Sequence, residues 1–278
     1  RKWSKEMCDI CGVSEEQLPK LYESYEVVGT IKKEIAEEFG LSDKVVVCAG
    51  AGDNAAAAVG TGTVNAGDCN ISLGTSGTVF IVGDGFSVDT KNALHSFCHA
   101  NGGYHLMGCI LSAASCNSWW SDNILKTSDY QTEQLGLESF MGKNDTLFLP
   151  YLMGERSPHN DVNARGAFIG MRPDTTRGEM TLAVLEGVTF ALKDCVEVAK
   201  SNGVDVKSTR ICGGGARSKL WRKIIANVLN IPVESPIIEE GPAYGAAMLA
   251  MVGSGEYKTV KEAADALIRG SERILPDE

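Results

Sequence analysis

Twice in this chain a β-prone run passes through a glycine-rich turn and straight into a helix. One instance is VVVCAGAGDNAAAAVGTG, Val45 to Gly62, and the other is TRICGGGARSKLWRKIIANVL, Thr209 to Leu229. A strand that gives way at once to a helix sends the chain back over the sheet, so the repeated unit predicts an α/β architecture. Other segments agree. Met180, Ala183, Val184, Gly187, Val188, Ala191, Leu192, Cys195, Val196 and Ala199 recur at three- and four-residue spacing until Gly203, which predicts a core helix. ISLGTSGTVFIV, within Asn70 to Val82, places a glycine and hydroxyl turn between two short β-prone runs, as a hairpin does.

The rest of the chain supplies shorter elements. Its first forty residues read as two short helices, the clearer one running from a Thr30 cap through Ile31, Ile35 and Phe39 to a Gly40 stop. A strand from Val45 to Cys48 follows. Leu106 to Ile124 turns helical after a short strand, and DTLFLPYLMGERSPHNDVNARGAF gives a strand and then a long polar loop. GPAYGAAMLAMVG is a small-residue helix suited to close packing. No solenoid-length repeat and no low-complexity tract is present.

Composition narrows the function. A formal charge of -10 over 278 residues leaves no broad basic surface for a phosphate backbone. No apolar run approaches the ~18 residues needed to span a bilayer, so neither nucleic acid nor membrane is an expected partner. Nine scattered cysteines fit reduced thiols in a cytoplasmic protein, and Cys8 and Cys11 form a lone C-x-x-C without a second pair or nearby histidines. The chain opens on Arg1-Lys2-Trp3 and closes on SERILPDE, and reads as a piece of something longer.

Chemistry concentrates in three turns: Gly50 to Asn54, Gly74 to Gly77, and Gly213 to Ser218. Each lets backbone N–H groups approach an anion, because glycine removes the Cβ and the segment that follows supplies unpaired donors. Asp53 lies just past a strand end at a helix start, which suits either a reactive carboxylate or a plain N-cap. Three such turns in one α/β chain, one carrying an aspartate, point to phosphoryl transfer. Neither G-x-x-x-x-G-K-[ST] nor G-x-G-x-x-G occurs, which sets aside a P-loop and a dinucleotide fold.

AGAGDNAAAAVGTG, SLGTSGTVF, HSFCHANGGYHLMGCILSAASC, PYLMGERSPHNDVNARGAFIGM and ICGGGARSKLWRKI resemble the FGGY carbohydrate kinases, and most closely their xylulokinase branch. Gly166, Phe168, Gly170 and Met171, followed by Glu179, Met180, Ala183, Val184, Leu185 and Glu186, are similar to the family's C-terminal signature. The resemblance runs from about Trp3 to Val252. It implies an actin-like ATPase architecture of ribonuclease-H-like domains, with residues 1–67 as the tail of the N-terminal domain and 68–278 as the C-terminal, nucleotide-binding domain. The family's early Asp-x-Gly-Thr phosphate loop occurs nowhere here, so the resemblance implies that these residues alone do not turn over.

By the same resemblance Asp53 falls on the catalytic base and, with Asn54, on the sugar-binding positions. Gly74, Thr75 and Ser76 match the second phosphate loop. Gly213, Gly214, Gly215 and Ala216 match the adenosine motif, with Ser218 and Lys219 beside it. The implied partners are ATP, Mg²⁺ with ligands left unassigned, and D-xylulose as the phosphoryl acceptor; a homodimer is left open. Gluconate, ribulose or glycerol as acceptor, or a nucleotide-binding module inactive in isolation, are the alternatives. His95, His99 and His105 are expected to be structural, Trp119 and Trp120 to be helix core in preference to an adenine wall, and Arg156 and His159 to stabilise a loop.

Overall fold

The computed structural model describes residues 2–91, 93–237 and 241–277. Two short strands, β1 (Val27–Thr30) and β2 (Val46–Cys48), pair antiparallel beside the helices α1 (Lys5–Cys11) and α2 (Lys33–Phe39). Helix α3 (Asp53–Gly60) then leads into β3 (Asp68–Leu73), β4 (Gly77–Val82), β5 (His95–Cys98) and β6 (Tyr104–Ile110). After β6 come α4 (Ala114–Ser118), a π-helical stretch over Trp119–Leu125, and α5 (Tyr130–Gln134). The strands β7 (Leu147–Leu149) and β8 (Ala167–Ile169) form a second small antiparallel sheet. The long helix α6 (Arg177–Ser201) precedes β9 (Ser208–Cys212), α7 (Lys219–Leu229), β10 (Val233–Pro236), α8 (Gly241–Gly253), α9 (Val260–Leu267) and β11 (Gly270–Ile274).

The main sheet has seven strands in the order β11-β10-β9-β3-β4-β6-β5. Its centre is parallel, β3 beside β9 beside β10, and the flanks are antiparallel. Pleating sorts the residues of β4 between two layers. Val79 and Ile81 join Leu182, Leu185, Val188 and Leu192 of α6 in the large core, whereas Phe80 and Val82 meet Ala58 of α3 in a separate cluster. The sheet is therefore covered on both faces, and β4 reads as a nearly continuous apolar run, Val79 to Val82, for that reason.

Helix α6 starts at Arg177, three residues ahead of its first apolar repeat. Thr176 caps it by accepting from the Glu179 N–H (3.2 Å), while the Glu179 carboxylate accepts from the Thr176 N–H (2.7 Å), a reciprocal capping box. The small-residue helix α8 packs against α3 as its composition predicts. A Cβ on Gly60 would strike the Gly241 carbonyl and one on Gly245 the Ala56 carbonyl, so the two backbones touch directly.

Some expectations shift. Thr30 does not cap α2: it ends β1, and Lys32 takes the cap position, because pairing with Val46 holds Thr30 extended. Leu106 lies inside β6, with helix beginning only at Ala114. The strands β1, β5, β8, β10 and β11 were not anticipated. Among the described residues no helix is long and apolar enough to cross a membrane.

Candidate active site

Parallel pairing of β3 with β9 sets Ser72 opposite Cys212, so the two strands end side by side. Their outgoing turns, Gly74 to Gly77 and Gly213 to Arg217, therefore share one edge of the sheet. This is the carboxyl end of adjacent parallel strands from which the chain departs in opposite directions, the place where open α/β sheets form ligand crevices. Glycine is required at two points here. Gly213 has φ +87°, and a Cβ there would lie 2.7 Å from the Leu73 carbonyl oxygen. On Gly215 it would lie 2.9 Å from the Leu73 Cβ and 3.0 Å from the Trp221 ring. Gly214 meets nothing within 4 Å.

The turn is anchored from behind. Trp221 is buried, and its indole N–H donates to the Leu185 carbonyl (3.1 Å) and the Thr189 hydroxyl (3.1 Å) of α6. Ser218 caps α7: its Oγ accepts from the Trp221 N–H (3.0 Å) and donates to Gln134 Oε1 on α5 (2.5 Å). Lys219 is the first residue of α7. The eleven-residue α7 starts where the glycine turn ends, so its positive end adds to the turn's attraction for an anion. A groove of about 630 Å³ opens here, lined by Cys212, Gly213, Gly214, Ala216, Arg217 and, further out, Arg222, Ser235 and Glu272.

On the other turn, Thr75 and Ser76 are exposed. The Gly74 carbonyl accepts from the Ala114 N–H (2.9 Å), and the Thr75 carbonyl accepts from the Ala113 N–H (3.0 Å) and the Ser115 hydroxyl (2.7 Å). These bonds seat the start of α4 on the loop. A second cleft of about 390 Å³ results, bounded by Thr75, Ala114, Ser115, Ser118, Trp119, Asp122 and Asn123. Sequence reasoning missed this wall. The signal was available, since Ser115, Ser118 and Asp122 are small or polar at three- and four-residue spacing.

Asp53 is not an N-cap. Gly52 occupies that position, with φ -62° and ψ 154°, and Asp53 is the first helical residue. Its Oδ1 accepts from the Asn54 backbone N–H (2.8 Å) and side-chain amide (3.3 Å), and both residues are exposed. Among the described residues no hydrogen bond or ion pair joins Asp53 or Asn54 to the glycine turns. The far end of α3 is tied to the sheet instead, where the Thr61 hydroxyl accepts from the Asn70 amide (3.1 Å).

Other singled-out residues behave structurally. His99 is buried; its Nδ1 accepts from the Ala100 N–H (2.8 Å), so the Nε2 proton points to the Thr63 carbonyl at 2.9 Å. His105 stacks on Phe80 at 3.7 Å between ring centroids, while His95 is half-buried on β5. Trp120 is core and donates to the Thr181 hydroxyl (2.9 Å), but Trp119 faces the cleft. His159 Nε2 lies 3.0 Å from the Tyr151 hydroxyl and 3.6 Å from Asp194. Burial pushes the Glu155 carboxyl above its usual range and that of Glu186 on α6 up to about 7. Cys8 is buried and Cys11 exposed, and among the described residues no group of three or more His, Cys, Asp or Glu is arranged to hold a metal ion.

A mixed sheet with two glycine turns at the ends of its central parallel strands belongs to the actin-like ATPase fold, and solved structures bear this out. A "xyloylose kinase" from Brucella ovis superposes with a TM-score of 0.92 at 39% identity, over 99% of this chain and 57% of that one. A gluconate kinase from Lactobacillus acidophilus superposes at 0.90 with 26% identity, over 99% and 56% of the respective chains. The model of the FGGY carbohydrate kinase C-terminal domain matches residues 69–254, and that of the N-terminal domain matches residues 1–60. The chain belongs to the FGGY family of carbohydrate kinases. Among curated relatives, the xylulose kinase of Escherichia coli K12 is 40% identical over 264 residues, 94% of this chain and 54% of the relative. The chain thus spans about half the length of the curated relatives it matches.

Proposed function

We propose that the full-length protein is an ATP-dependent kinase that converts D-xylulose to D-xylulose 5-phosphate in the cytoplasm, a compartment compatible with its nine free cysteines. The observation that carries this reading is the shared edge of the Gly74 and Gly213 turns, in a chain 40% identical to a xylulose kinase. Residues 1–67 would complete the N-terminal domain and 68–278 form the nucleotide-binding domain. The glycine backbone at Gly213, Gly214, Gly215 and Ala216, with Ser218 and Lys219, would receive the adenosine end. Gly74, Thr75 and Ser76 would offer N–H and hydroxyl donors to the phosphates. ATP supplies the phosphoryl group.

Asp53 would act as general base. The attacking sugar hydroxyl gives its proton to the carboxylate as its oxygen bonds to the γ-phosphorus, and ADP departs with the electron pair of the broken P–O bond. The exposure of Asp53 suits contact with an incoming substrate, and Asn54 can both donate to and accept from neighbouring hydroxyls. Magnesium is expected on the nucleotide, held by phosphate oxygens, waters and one or two carboxylates. The described residues form no dedicated cage, so no side chain is assigned to it.

Coupled ADP release by the full-length protein, measured with xylulose, ribulose, gluconate and glycerol, tests the proposal. Xylulose should give the highest kcat/KM. A gluconate preference would replace the substrate while sparing the kinase, and no ATP-dependent phosphorylation of any sugar would reject the reading.

A further inference from the structure

The polar loop after β7 is stitched to the end of β6 through one side chain. Glu155 is 2% exposed, and its Oε1 accepts from the Leu111 N–H (2.8 Å) and the Arg156 N–H (2.7 Å). Beside it, the Ser157 N–H donates to the Cys109 carbonyl (3.1 Å). Leu111 is the residue that leaves β6, and only two positions later the Ala113 N–H reaches the Thr75 carbonyl. The segment from Leu111 to Ser115 is therefore held at one end by Glu155 and at the other by the Gly74 and Thr75 carbonyls. It also forms one wall of the 390 Å³ cleft through Ala114 and Ser115.

The second carboxyl oxygen of Glu155 is buried with no hydrogen-bond partner among the described residues. A buried orphan of this kind costs stability, and such costs call for an explanation beyond packing. We propose that Glu155 is a positioning residue for the nucleotide end of the site: it fixes the β6–α4 turn and, through it, the Gly74–Thr75 loop. The inference rests on the function proposed above. Positioning matters there because phosphoryl transfer depends on placement, and a displacement of about 1 Å can cost roughly 10²-fold.

The test uses the full-length protein and compares Glu155→Gln, Glu155→Leu and Val260→Ala. Val260 lies in the small cluster beneath α8 and α9, apart from the cleft, and serves as a stability control. Glutamine keeps an oxygen acceptor for both N–H groups, so its KM for ATP should stay near wild type. Leucine removes the acceptor and should raise KM for ATP about tenfold, the equivalent of one lost hydrogen bond, with KM for the sugar unchanged. Amide exchange at residues 111–115 should quicken in Glu155→Leu and not in Glu155→Gln. If Glu155→Leu does not fold, Glu155→Asp, one methylene too short to serve both donors, is read in the same way.

An unchanged KM for ATP, an equal rise for both substrates, or the same rise in a Val260→Ala protein of similar Tm would overturn the proposal. A wild-type protein without ATP-dependent turnover would instead reject the kinase reading. ADP titration by calorimetry, with the same exchange measurement, would then decide the role of Glu155.

Discussion

At the β3–β9 edge the glycine turn is packed from behind, whereas at the start of α3 the proposed base stands on one local contact. Gly213 and Gly215 lie against Leu73 and Trp221, and Trp221 in turn bonds to α6, the centre of the core. Asp53 is exposed, and among the described residues its carboxylate is bonded only to its neighbour Asn54. The difference separates two kinds of dependence. Substitutions at Gly213 or Gly215 should disturb stability and binding together, while substitutions at Asp53 should remove the proposed chemistry and leave the fold intact.

The largest expected effect tests the second half of that contrast. Asp53→Asn in the full-length protein should lower kcat by roughly 10² to 10⁴-fold, the usual contribution of a general base, and shift stability by no more than about 0.5 kcal/mol. Steady-state kinetics beside thermal unfolding would check it; wild-type turnover would reduce Asp53 to a helix-start residue. Next comes Gly213→Ala, which meets both a positive φ and the Leu73 carbonyl and should cost roughly 2–4 kcal/mol. The neighbouring Gly214→Ala has open space and should stay within about 0.5 kcal/mol. Denaturant unfolding of the pair would sharpen the claim, and equal losses would show that steric contact with Leu73 is not what selects glycine.

Smaller effects follow. Ser218→Ala removes the α7 cap and the bond to Gln134, and should cost about 1 kcal/mol. Glu186 gives a pH signature. Burial raises its folded-state pKa to about 7 from an ordinary value of 4.5, so the folded protein binds the extra proton. Its contribution is favourable below the ordinary value and is lost as pH rises through about 7. Partial exposure moderates the size. Glu186→Gln should therefore flatten the fall in Tm between acid and mildly alkaline pH; a parallel curve in the variant would assign the fall to other groups.

The glycine turns and α6 were legible in the sequence because their causes are local. Glycine at a turn is a stereochemical demand, and the α6 repeat encodes a buried face. The strands β1, β5, β8, β10 and β11 were not, because three to five residues carry little periodicity and only pairing with distant segments defines them. Thr30 was misread for the same reason. The wall formed by Ser115, Ser118 and Asp122 carries a signal in its three- and four-residue spacing, but only the bonds that seat α4 on the Gly74–Thr75 loop give that spacing a meaning. Glu155 was hidden by distance along the chain, since its partner Leu111 lies 44 positions earlier.

The most direct test of the contrast is ATP affinity, measured by calorimetry on full-length wild type, Asp53→Asn and Gly213→Ala under one set of conditions. Asp53→Asn should bind with the wild-type Kd and Gly213→Ala should bind at least about tenfold more weakly, the equivalent of roughly 1.4 kcal/mol. Unaltered binding by a folded Gly213→Ala, or lost binding by Asp53→Asn, would contradict the division of labour between the two regions.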